Sequence, residues 1–129
     1  MNESIHGSGA DEFLELKHVL RALGDVVRLH IVSVLAGNTE MNVTDLAQML
    51  IINGRYVSQP LVSWHLATLR RAGMVQVRRT GRQVYCSLDR ERYALCLQML
   101  GDLVQPAALH AAAPVISPAG QPDLSPARQ

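Results

Sequence analysis

Arginine is the residue type whose placement carries the most chemical information in this chain. Arg55, Arg70, Arg71, Arg78, Arg79, Arg82, Arg90 and Arg92 all fall within residues 55–92, where only Asp89 and Glu91 oppose them. Residues 1–54 run the other way, with Lys17, Arg21 and Arg28 against Glu3, Asp11, Glu12, Glu15, Asp25, Glu40 and Asp45. A net charge of +1 over 129 residues hides this division. The guanidinium group offers a planar, paired donor fork to anionic oxygens, so a local arginine excess is the footprint expected of a phosphate-binding face. A solvated surface is the plainer alternative.

Other chemistry is sparse. Cys86 and Cys96 are too few for a disulfide scaffold and lack the spacing of a zinc module, and a disulfide would need their Cα atoms within about 7 Å. They read as buried thiols, with a redox role open. His18, His30 and His65 have no second ligand at helical spacing, and His110 stands among prolines. No phosphate-cradling glycine loop, nucleophile elbow or metal-ligand cluster is present, so neither a catalytic residue nor a metal or other cofactor is expected and an enzyme is disfavoured.

The elements that would position the arginines follow from periodicity. The first ten residues read as a flexible lead-in. Asp11 is placed as N-cap of a helix with Phe13, Leu16, Leu20 and Leu23 on its stripe, and Leu14 and Val19 beside it. Asp25 caps a second helix ending at Gly37, and Thr44 a third from Asp45 to Leu50. The segment Ile51 to Val57, with Asn53-Gly54, has turn chemistry. Ser58 then caps a fourth helix, with Pro60 in its first turn and Gly73 as its stop. Val75, Val77 and Thr80, then Val84, Cys86 and Leu88, alternate across Gly81 as a hairpin with Arg79 to Arg82 at its tip. A last helix, Asp89 to Val104, is apolar on nearly every side. One small domain cannot bury that surface, so Phe13, Leu16 and Leu20 with Tyr93, Leu97 and Leu100 are assigned to a homodimer interface. Residues 105–129, rich in proline and alanine, read as a disordered tail.

Helix, helix, turn, helix and an arginine-tipped hairpin make a winged helix: mainly α with a small β-hairpin wing, in one domain over residues 11–104. In the fourth helix Val62, Leu66 and Leu69 face the core at 100° per residue. Ser58, Gln59, Leu61, Ser63, Trp64, His65 and Thr68 are then available to a major groove. Gln59 suits adenine, Leu61 a thymine methyl, and Arg70 and Arg71 phosphate. Trp64 packing on the Ile51–Val57 connection is the competing placement. From the wing, Arg78, Arg79 and Arg82 reach toward backbone and minor groove, with Tyr85 adding a phosphate contact.

The stretches Arg21-Ala-Leu-Gly-Asp-Val-Val-Arg-Leu-His-Ile, Ser58-Gln-Pro-Leu-Val-Ser-Trp-His-Leu, Leu69-Arg-Arg-Ala-Gly-Met-Val and Gly81-Arg-Gln-Val-Tyr resemble the ArsR/SmtB family of bacterial repressors. The resemblance covers about residues 12–104. It implies a dimeric winged-helix repressor that binds a palindromic operator in double-stranded DNA and leaves it when a metal, metalloid, redox signal or other ligand arrives. The family's thiolate stretch reads Glu40-Met-Asn-Val-Thr-Asp-Leu here, with Asn42 and Thr44 in place of cysteines. Its last-helix histidines are missing as well, so the inducer stays unassigned. No signal-peptide layout or membrane-length apolar run is found, so a cytoplasmic location is the expectation. The alternative from another class is a winged-helix dimer that docks on proteins through Trp64 and the arginines.

Overall fold

The computed structural model describes residues 3–105; the proline-rich segment from residue 106, with His110, lies outside them. Five helices and five short strands follow in order: α1 (Glu3–Leu23), α2 (Val26–Ala36), β1 (Met41–Asn42), α3 (Val43–Met49), β2 (Ile51–Ile52), β3 (Arg55–Tyr56), α4 (Gln59–Arg71), β4 (Val75–Thr80), β5 (Gln83–Leu88) and α5 (Arg90–Leu103). None of the described helices is long and apolar enough to cross a membrane.

The caps explain where the helices begin. Asp25, in an extended conformation, accepts hydrogen bonds from the Val27 and Arg28 amides at 2.9 and 3.1 Å, answering two of the orphan donors of α2. Ser58 does the same for α4 through the Leu61 amide, and Asp89 for α5 through the Arg92 amide. Two starts differ from expectation. α3 is capped by Asn42, whose side-chain oxygen accepts from the Thr44 amide at 2.7 Å, so Thr44 lies inside the helix. α1 begins at Glu3 rather than after Asp11. Gly7 and Gly9 argue for a loop locally, but extending a helix already held by packing needs no new nucleus and costs only about 1 kcal/mol per glycine.

Three strands form one antiparallel sheet in the order β1-β5-β4, with Met41 opposite Cys86 and Val77 opposite the same residue on the other side. β4 and β5 are the wing. The connection before α4, expected as a simple turn, is a second hairpin, β2-β3, with Ile51 opposite Tyr56. Asn53 and Gly54 both have positive φ, 54° and 78°, as a two-residue type I′ turn requires, and Asn-Gly is the pair that adopts it most readily.

The core collects Val19, Ile31, Leu35, Leu46, Leu50, Val62, Leu69, Met74 and Cys86, all essentially inaccessible. It sits under α4 and holds that helix from below. Leu16, assigned to a subunit interface, is 5 % exposed and belongs to this core with Val19 and Ala22. The inward stripe of α1 runs through Leu16, Val19 and Leu23, one step round from Phe13, Leu14 and Leu20, which remain exposed. Tyr93 is likewise half-buried, lining a hollow with Leu29 and Val32 of α2. Backbone contacts mark off a unit ending at Cys96, and α5 continues from Leu97 with Leu97, Leu100, Leu103 and Val104 all exposed.

Candidate nucleic-acid interface

The 13 residues of α4 give a rod of about 20 Å. Its inward face is Val62, Leu66 and Leu69, as the 100° spacing predicts, and Gly73 with φ 80° ends it. An added Cβ at Gly73 would stand 3.0 Å from Arg92 Nε, so both backbone angle and space favour glycine there. Gln59, Pro60, Leu61, Ser63, Trp64 and Arg70 are exposed. Trp64 is 60 % exposed, so it does not pack away beneath the β2-β3 connection.

Between α4 and the wing lies a cleft of about 260 Å³. Gln59, Ser63 and Arg70 line it from α4, Arg79 and Arg82 from the wing, and Asn42 and Thr44 from the start of α3. Its lining includes three arginines and no carboxylate. Hydrogen-bond donors and acceptors thus face a basic concavity, which is an arrangement that receives a polyanion with readable polar edges. Asn42, whose amide bonds the Gln83 side chain, was not anticipated as part of this surface. In the sequence it stood out only as a residue in place of one of the family's cysteines.

Other anticipated contacts are placed elsewhere. Strand alternation puts Arg78 opposite Tyr85 on the face of the wing away from Arg79 and Val84. There the Arg78 fork donates to both Glu40 oxygens at 3.0 and 2.8 Å, and its carbon lies 4.6 Å from the Tyr85 ring centre. The hydrogen bond to Arg78 holds the Glu40 carboxyl below the usual carboxylate range. Arg78 and Tyr85 therefore brace the wing, and only Arg79 and Arg82 of the wing arginines line the cleft. Thr68 is half-buried, its hydroxyl near the Trp64 carbonyl and the Arg71 guanidinium, and both Thr68 and Arg71 turn toward α1.

His65 is 6 % exposed and cannot read a groove. Its Nδ1 lies 3.0 Å from Arg28 Nη1, and because a guanidinium only donates, Nδ1 accepts and the ring proton is on Nε2. Burial lowers the His65 pKa from its ordinary value; Asp25, 3.8 Å away, opposes this and Arg28 adds to it. A depressed folded-state pKa gives stability that is complete above the unfolded value near 6.5 and is lost as pH falls below it. The urea midpoint is accordingly expected to drop between pH 7 and 5.5, and His65→Gln to flatten that part of the profile. An unchanged slope in the variant would mean that other groups set it.

Cys86 and Cys96 are free and buried. Burial pushes the Cys86 thiol up to about 11, and its Sγ lies 3.5 Å from the Met41 carbonyl oxygen, so little thiolate exists near neutrality. Cys96 is shifted upward for the same reason. Among the described residues no group of three or more His, Cys, Asp and Glu side chains is placed to hold a metal.

Residues 25–77, which run from the α2 cap through α4 into the wing, match the family model for bacterial regulatory proteins of the arsR family. The solved structure of HlyU from Vibrio cholerae is 32 % identical, with 70 % of this chain and 92 % of that one covered and a TM-score of 0.54. The chain belongs to the arsR family. It is thus a DNA-binding transcriptional regulator with the winged helix-turn-helix fold, and not an enzyme. The transcriptional repressor BigR from Xylella fastidiosa is 26 % identical over 90 % of this chain and all of its own, with a TM-score of 0.52. The homodimeric winged helix-turn-helix DNA-binding domain Mb0332 from Mycobacterium bovis, a possible ArsR-family regulator, is 25 % identical over 74 % of this chain and 86 % of its own, with a TM-score of 0.56. No curated protein sequence matches the chain. In this arsR-family regulator, α3 and α4 with the β2-β3 hairpin between them are the helix-turn-helix, and β4-β5 is the wing.

Proposed function

We propose that this arsR-family regulator acts in the cytoplasm as a dimeric repressor, reading a palindromic operator with α4 and gripping the flanking backbone with its wing. The observation that carries this reading is the cleft between α4 and the wing, where Arg70, Arg79 and Arg82 are gathered with no carboxylate among its lining residues. Gln59 and Ser63 are exposed in the N-terminal half of α4, the half that meets base edges when a helix enters a major groove. Phe13, Leu14 and Leu20 of α1 and Leu97, Leu100 and Leu103 of α5 are exposed apolar side chains, and a second copy is the simplest cover. Mb0332 is described as homodimeric and BigR as a repressor, which supports extending both properties to this chain. Release by a signal completes the cycle.

The test is fluorescence anisotropy on duplex from upstream of the protein's own gene and on scrambled duplex, over a salt series. Binding that prefers the upstream sequence and falls steeply with salt is expected, since each neutralised phosphate releases counterions. No binding at low salt would overturn the reading. In the same assay Gln59→Ala is expected to reduce discrimination at one base pair by about 1–3 kcal/mol while leaving affinity for scrambled duplex nearly unchanged. Equal loss on both duplexes would remove Gln59 from base reading.

A further inference from the structure

A second basic concavity, of about 440 Å³, opens between α1, the N-terminal part of α2 and the C-terminal end of α4. His18 and Arg21 line it from α1, Arg28 from α2, and Thr68 and Arg71 from α4, with Ala22 and Ala72 keeping its walls small. The Arg28 guanidinium is fixed in place by the Ala22 carbonyl and His65 Nδ1, and a histidine brings no negative charge to offset it. Arg71 is steadied by the Thr68 hydroxyl at 3.3 Å. The adjacent carboxylate, Asp25, accepts from the Val27 and Arg28 amides and lies 3.8 Å from His65 Nδ1, so its charge offsets one of the three guanidinium groups. No carboxylate is among the lining residues.

Helix ends alone do not account for this gathering. The C-terminal carbonyls of α1 and α4 attract cations, but each helix end is equivalent to only about half a negative charge. Three guanidinium groups still leave a positive excess after both helix ends and Asp25 are counted. Such an excess in a concave site is stable when an anion enters it, and the volume falls within the range of small-ligand pockets of roughly 300–1,000 Å³.

We propose that this cleft binds a small oxyanion carrying two or more charges, of the phosphate or polycarboxylate class, and that its occupancy weakens operator binding. Arg21 and Arg71 supply guanidinium forks, Arg28 a fixed charge, and Thr68 holds Arg71 in place. An occupant ties α1 to α4 and neutralises positive charge on the DNA-reading helix, which lowers its attraction for the duplex. The site itself does not depend on the operator reading; its regulatory consequence does. A DNA phosphate has the same chemistry, and the experiment separates the two sources.

Thermal melting of the full chain is followed with inorganic pyrophosphate, at ionic strength held constant with chloride, for the wild type and Arg21→Ser. Arg21 is exposed, and the melting curve without pyrophosphate verifies that the variant folds. The expected result is a saturable rise in Tm of roughly 5–10 °C for the wild type at concentrations well above Kd, with most of it lost in Arg21→Ser. In the DNA arm, pyrophosphate lowers wild-type operator affinity about fivefold more than matched chloride and leaves Arg21→Ser at the chloride level. Single methylphosphonates are placed along the operator in parallel. A position whose neutralisation weakens the wild type but not the variant, with no effect of pyrophosphate, would assign the cleft to a backbone phosphate and overturn the effector role. An equal rise in both proteins, or no rise and no such position, would overturn the site altogether.

Discussion

Leu97→Glu is expected to sediment as a monomer and to lose operator affinity by about 100-fold or more. Leu97 is 56 % exposed on α5, and in α1 Phe13 is 63 % exposed. If those faces meet a second copy, a buried carboxylate among leucines has no partner and the dimer separates. Each monomer would then hold one half-site without its neighbour's help. Joining two modules on one duplex raises the overall affinity by about two to four orders of magnitude, and that gain disappears with the dimer. The far-ultraviolet circular dichroism of the variant should match the wild type, because Leu97 is not part of the buried core. A dimer by sedimentation in Leu97→Glu would place the subunit contact elsewhere.

The double substitution Arg79→Ala and Arg82→Ala is expected to flatten the dependence of log affinity on log salt by about 2 per binding unit, close to 0.9 for each phosphate contact removed. At ordinary ionic strength this amounts to a loss of tenfold or more on operator and scrambled duplex alike, since backbone contacts position the protein without reading sequence. Arg78→Ala is the instructive comparison. Its fork is occupied by Glu40, so its removal should leave the salt slope nearly unchanged and act instead through the bearing of the wing. An equal change in slope from Arg78→Ala would mean that the Glu40 pair opens on DNA.

These two substitutions also mark where sequence patterning succeeds and where it stops. The buried stripe Val62, Leu66 and Leu69 follows from helical spacing alone, and the Asp25 cap from residue type and position. The wing follows from strict alternation around Gly81. Which face of a strand looks outward is harder: Arg78 and Arg79 are neighbours of identical chemistry, and only register separates them. Tyr85 opposite Arg78 held that information, and Glu40, 38 residues earlier, completed it. His65 shows a second limit. Helical spacing puts it on a flank of α4, and its hydrogen-bond partner is an arginine 37 residues away on α2. In α1 the pattern puts Phe13, Leu16 and Leu20 on one stripe with Val19 beside it, whereas packing on α2 and α4 buries Leu16 and Val19 and leaves Phe13 and Leu20 exposed. The cleft around Arg21 combines three helices and has no local signature.

The Glu40 to Arg78 fork bears on the thermodynamics of association. Glu40 stands immediately before β1 and α3, and Arg78 in the wing, so the pair clamps the wing to the base of the helix-turn-helix before any ligand arrives. A wing that is loose in solution must be ordered at the moment of contact, and the lost rotamer and backbone freedom is subtracted from affinity. Here that freedom is already surrendered on folding. Association of this regulator with its operator should therefore carry a smaller unfavourable conformational entropy than that of a Glu40→Ala variant, whose wing keeps its ladder to β1 but loses this clamp.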